Sequence, residues 1–138
     1  MKLRLTPNSL RLRVTRSEVA DIRQNGRLVC ALQAGPAAGN VLAYGLEFVS
    51  TLPAIAIAFS QSRITVQVPA KLGEHWAQTG EVGLYGDTPW GLRVMVEKDF
   101  KCLDPRHAEV ESDAYEHPAA QKGIVVKPKG LPAEASHA

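Results

Sequence analysis

Cys102 stands in Glu97-Lys-Asp-Phe-Lys-Cys-Leu-Asp-Pro-Arg-His107, with Lys98, Lys101, Arg106 and His107 close in sequence. Positive charge nearby lowers a thiol pKa and favours the nucleophilic thiolate. A histidine within reach is the base that such a nucleophile needs. The chemistry would be thiol-dependent catalysis or sensing. No third residue is in view to orient the base, however. Phe100 and Leu103 fit the plainer reading, a small side chain closing the end of a core, since free cysteine is among the most buried residue types.

A second set is His107, Glu109, Glu111, Asp113 and His117. These are metal-ligating types, but their spacing matches no zinc or EF-hand pattern. His107 and His117 are therefore metal candidates without a frame, and no cofactor is expected. The third set is basic. Lys2 and Arg4 share one face of a strand, Arg11 and Arg13 share one face of the next, and Arg16 follows. If the two faces coincide, four cations cluster and could hold phosphate or nucleic acid. The alternative is a solvated sheet face with cross-strand ion pairs, for which Glu97 and Asp99 are the natural partners. No aromatic residue interleaves with these arginines, so base stacking has no platform there. Trp90, in a Pro-Trp-Gly turn, is a large aromatic placed to anchor a protein partner. Gly35 and Gly39 lack the Lys-Ser/Thr of a phosphate loop. His75, beside Trp76, reads as a packed or surface residue.

The elements that must carry these residues follow a pattern. Leu10, Leu12 and Val14 alternate with Arg11 and Arg13, the period of a half-buried strand. Thr15 with Glu18 three residues on is a capping box. Val19 and Ile22 form an apolar stripe, and Gly26 supplies the left-handed stop. The layout returns 54 residues later over Ile64 to Val82. There Pro69 opens the helix, Leu72 and Trp76 share a face, and Gly80 ends it. Only Val14/Val68, Gln24/Gln78 and Gly26/Gly80 are identical over the 19 aligned positions, so the order of elements carries the comparison.

Around these units lie further strands at Lys2–Leu5, Arg27–Leu32, Val41–Val49, Ala54–Phe59, Glu81–Tyr85 and Leu92–Phe100. Turn residues separate them. The expected fold is α+β: about eight mostly antiparallel strands in one curved sheet or a barrel, two helices packed on it, and an internal ββαββ pseudo-repeat. The expected domain is 1–103, with halves 1–50 and 54–103. Residues 104–138, rich in Ala, Pro, Lys, Glu and His, read as a largely disordered tail.

The chain has 138 residues, 45% of them hydrophobic and 22% charged, with net charge +2. That is about one soluble domain. The charge is too small to indicate nucleic-acid binding by itself. No apolar run reaches the roughly 20 residues that span a bilayer, and no continuous apolar signal region is seen at the start. Cys30 and Cys102 make no disulfide framework. The expectation is a cytoplasmic protein.

Taken together, Asn8-Ser-Leu-Arg-Leu-Arg-Val-Thr-Arg-Ser-Glu-Val19 and Val96-Glu-Lys-Asp-Phe-Lys-Cys-Leu103 resemble the two signatures of a family of small bacterial proteins of unknown function. Val68-Pro69 and Trp76 are similar too, and the resemblance covers about residues 1 to 118. It implies a bacterial, cytosolic protein and supplies no mechanism. The leading expectation is a non-enzymatic binding or assembly domain that self-associates as a homodimer or binds a protein partner. The alternatives are a thiol- or metal-dependent enzyme or sensor at Cys102, and an anion- or RNA-binding protein using Lys2, Arg4, Arg11 and Arg13. A membrane or nucleic-acid role is not expected.

Overall fold

The computed structural model describes residues 1–100. Its elements are β1 (Lys2–Thr6), β2 (Ser9–Val14), α1 (Arg16–Asn25), β3 (Arg27–Gln33), β4 (Val41–Val49), β5 (Ala56–Ser60), β6 (Arg63–Pro69), α2 (Ala70–Gln78), β7 (Gly83–Asp87) and β8 (Arg93–Lys98). The fold is α+β, with eight strands in two four-stranded sheets and two helices. By contacts the chain divides into Met1–Lys101 and Cys102–Ala138. All the described elements lie in the first unit, and the expected tail lies outside the described residues.

Helix α1 forms for the local reason its sequence states. The Thr15 hydroxyl accepts the Glu18 backbone N–H, and the Glu18 carboxylate accepts the Thr15 N–H at 3.0 Å. At the other end Gly26, at φ +76°, donates its N–H to the Ile22 carbonyl. A left-handed residue costs glycine no Cβ clash, so the helix stops there. Helix α2 departs from the expected pattern. Its C-cap is Thr79 in extended conformation, one residue before Gly80, and both the Thr79 N–H and its hydroxyl donate to the His75 carbonyl. Its buried residues are Gly73 and Trp76, while Leu72 is 41% exposed. The ring of Phe48 causes this. It lies where a Gly73 Cβ would be, 2.5 Å from its Cε1, so the helix turns its smallest residue to the core and Leu72 outward.

The sheet orders are β1-β2-β8-β7, here sheet A, and β3-β4-β6-β5, here sheet B. Each sheet takes one hairpin from each half of the chain. Replacing β1, β2, β8 and β7 by β5, β6, β4 and β3 converts the order of sheet A into that of sheet B. Hairpin partners are antiparallel, as short connections require. The central pairs, β2 with β8 and β4 with β6, are parallel. Turn length constrains strands that are neighbours in sequence; these pairs join hairpins from different halves, so it does not reach them.

The expected single sheet or barrel is thus corrected to two sheets that do not close. Side chains rather than backbone bonds bridge their seams. Ile55 packs over Gly86 at one, its Cβ 3.1 Å from where a Gly86 Cβ would stand. At the other the Tyr44 hydroxyl donates to the Met1 carbonyl at 2.8 Å.

One core joins the inner faces. Leu10, Leu12 and Val14 come from β2, Val94 and Val96 from β8, Val66 and Val68 from β6, and Leu46 from β4, with Ile22 and Trp76 from the helices. Each such side chain contributes about 1.5–3 kcal/mol on full burial. Trp76 is fully buried, and its indole N–H donates to the Val82 carbonyl at 3.2 Å. Alternation along every strand therefore sends the intervening residues to the two outer faces.

Candidate functional site

The outer face of sheet A brings the four predicted cations together. Lys2 stands opposite Arg13, and Arg4 opposite Arg11. Register then extends these rows across β8 and β7: Arg4, Arg11, Met95 and Tyr85 form one, and Lys2, Arg13, Glu97 and Gly83 the next. The acidic partners are on the same face. Arg11 Nε lies 3.0 Å from Glu97 Oε1, and Lys2 Nζ lies 3.0 Å from Asp99 Oδ2. Among the described residues Lys2 and Arg11 are thus drawn into ion pairs, and Arg4 is engaged as well.

Tyr85 is the residue that the linear sequence hides. It lies 72 or more positions from the arginines of β2 yet shares their row. Its ring folds over Gly83, where an added Cβ would be 2.5 Å from the Tyr85 hydroxyl. The hydroxyl donates to Glu97 Oε2 at 2.9 Å. That bond to a carboxylate, with partial burial, raises the Tyr85 pKa above its ordinary value, because ionisation would set two negative charges together. The face is a cross-linked layer in which Glu97 serves both Arg11 and Tyr85.

The outer face of sheet B has the corresponding rows and other chemistry. Ala58, Thr65, Gly45 and Val29 cross its middle. Ser60, Arg63, Ala43 and Ala31 lie on one side, and Ala56, Gln67, Glu47 and Arg27 on the other. The middle row is small and uncharged. No ion pair engages Arg63 or Glu47 among the described residues. Nothing in the sequence marks this face except the small residues at alternate positions, and register alone aligns them.

The remaining candidates separate from these faces. Trp90 is 70% exposed in the β7–β8 turn, which Gly91 at φ +90° closes with its N–H on the Thr88 carbonyl. His75 lies at the α2 surface, 3.6 Å from Glu81. Cys102, His107 and His117 lie outside the described residues. Among the described residues no three His, Cys, Asp or Glu side chains gather as a metal site, and no helix is long and apolar enough to cross a membrane. An open groove of about 770 Å³ borders α1, with Arg16, Arg23, Lys98 and Phe100 in its lining. Two of its cations are engaged: Arg23 pairs with Glu74 at 3.0 Å, and Lys98 donates to the Thr79 carbonyl at 2.6 Å.

Near the other seam, the Met1 ammonium bonds the Glu18 carboxylate. Burial alone would raise the Glu18 carboxyl, but that bond and those from Thr15 outweigh it and hold the group below its usual value. Burial also raises the Tyr44 hydroxyl, with the Cys30 thiol beside it adding to the effect.

Compared with known proteins, residues 1–119 match the model of a family described as Family of unknown function (DUF7009). No curated protein and no solved structure matches.

Proposed function

The chain belongs to that family of unknown function, and from this premise we propose that it is a non-enzymatic binding and assembly domain whose partner is protein, a second copy or another chain. The outer face of sheet B is the observation that supports this reading. A middle row of Ala58, Thr65, Gly45 and Val29 is small and uncharged, and the charges beside it are left without partners among the described residues. Interfaces are depleted of charge at their centre and polar at their rim. Exposed Trp90 is a further anchor of the kind that protein interfaces favour.

Anion or RNA binding through Lys2, Arg4, Arg11 and Arg13 is the weaker reading, because Asp99 and Glu97 already draw on Lys2 and Arg11. Thiol or metal chemistry rests on Cys102, His107 and His117, which have no orienting partner in the sequence. We read the two halves as a pseudo-repeat on the pattern of elements, the protein as cytoplasmic on its sparse cysteines, and its origin as bacterial on the family resemblance.

A native mass spectrum of tag-free protein purified without added metal tests the choice. The expected species carry protein mass alone. Small-molecule or metal mass that disappears in Cys102→Ala would overturn the reading in favour of thiol or metal chemistry. Anionic mass that disappears in Arg11→Ala with Arg13→Ala would overturn it in favour of anion binding.

A further inference from the structure

We propose that two copies of this chain stack through the outer faces of sheet B, about a two-fold axis that crosses Gly45 and Thr65. The inference rests on the assembly reading and names its partner. Gly45 and Thr65 are opposite one another at the middle of the sheet. Arg63, paired with Ala43, lies one outward-facing step to one side, and Glu47, paired with Gln67, one step to the other. A two-fold axis lying in the face between them brings Arg63 of each copy over Glu47 of the other. An isologous contact demands this self-complementarity, since residue i meets j and j meets i.

Three further observations favour a second copy. Neither Arg63 nor Glu47 has an ion pair among the described residues, so the two charges are available to each other across an interface. Arg27 is the Cα partner of Glu47, yet no ion pair joins them. The centre is also flat. An added Gly45 Cβ would stand 2.9 Å from the Leu28 carbonyl oxygen, so the face admits no larger residue there, and Gly45 itself lies buried between its neighbours. The corresponding face of sheet A carries charge at its centre. A two-fold axis across its middle row would set Arg11 and Arg4 against like charges.

The size of the face sets the strength. Four strands are about 19 Å wide and five residues about 17 Å long. That is well below the roughly 800 Å² per partner of a standard interface. The dimer is therefore in exchange and depends on concentration.

Sedimentation equilibrium of the full chain, from about 1 µM to about 1 mM, reads this out. The apparent mass of the wild type should rise from the one-chain toward the two-chain value. Thr65→Arg places like charges at the axis and should hold the chain monomeric with an unchanged circular dichroism spectrum. Arg63→Glu and Glu47→Arg should each weaken the dimer at least about tenfold, and the double variant should recover it, as restored charge pairs do. A wild type that stays monomeric throughout overturns the proposal. So does a dimer indifferent to Thr65→Arg, because it then uses another surface. Either result leaves a different protein partner open, whereas small-molecule or metal mass on the purified chain would defeat the assembly reading itself.

Discussion

The outer faces of the two sheets hold corresponding places in the strand order and differ in almost every side chain. Sheet A has Arg4, Arg11, Met95 and Tyr85 across its middle; sheet B has Ala58, Thr65, Gly45 and Val29. In sheet A the carboxylate of Glu97 draws in Arg11 and Tyr85, and Asp99 draws in Lys2, so much of the middle of the face is engaged within the chain. In sheet B, Arg63 and Glu47 flank an uncharged centre and have no ion pair among the described residues. The lesson is that position in a fold does not assign a surface its role. A face with charge across its centre favours water; one with small residues at its centre and charges beside it is suited to contact. Each glycine makes the same point. Gly83 leaves room for the chain's own tyrosine, whereas Gly45 leaves room for the Leu28 carbonyl of the neighbouring strand.

The largest effect tests whether both faces sit on one cooperative body. Trp76→Ala removes a fully buried side chain from the core that the sheets share. It should cost about 3–5 kcal/mol in urea unfolding. Probes on the two sheets should lose structure in a single transition. Two separate transitions would break the comparison, because the faces would then belong to independent units.

Next come the two glycines. Gly45→Ala drives a methyl group against the Leu28 carbonyl, which is backbone and cannot swing away. A loss of about 1–3 kcal/mol is expected. Gly83→Ala meets the far end of Tyr85, which can move. It should cost less, and the Tyr85 hydroxyl should titrate closer to its ordinary range once its bond to Glu97 is disturbed, as ring carbon shifts would report. Equal costs for the two would show that side-chain freedom is not what separates the faces.

The helices offer a smaller contrast, since α1 has a capping box and α2 has no side-chain cap at Pro69. Glu18→Gln should cost about 1 kcal/mol near neutral pH. The folded Glu18 carboxyl lies below its unfolded value, so its contribution is full above the unfolded pKa and is lost as pH falls through the folded one. The gap between wild type and variant should close on acidification. A gap that persists in acid would mean that the amide is costly for another reason.

Smallest is Arg11→Ala with Arg13→Ala. Partly exposed ion pairs contribute up to about 1 kcal/mol. Slight destabilisation with no change in phosphate binding, by calorimetry, would leave sheet A's face structural. Lost phosphate binding would assign it a ligand.

Local chemistry was readable wherever the partners lie three or four residues apart. Thr15 with Glu18, Gly26 after Ile22, and the alternation of β2, β4 and β6 are short-range facts, and the structure repeats them. That Tyr44, Leu46 and Phe48 of β4 turn to the core follows from period 2 in the same way. Leu72 was misread, because what turns it outward is the Phe48 ring, 24 positions earlier in the chain.

The sequence by itself determined the α+β class, the order of elements and most of the residues each strand buries. Those follow from backbone hydrogen bonding and apolar periodicity within a few residues. Only the tertiary structure decided that hairpins from different halves join in parallel, that two sheets replace a barrel, and that Tyr85 shares a row with Arg11. Strand register between distant segments depends on the packing of a common core. The two outer faces, one charged across its middle and one lined there by small residues, exist only once that register is set.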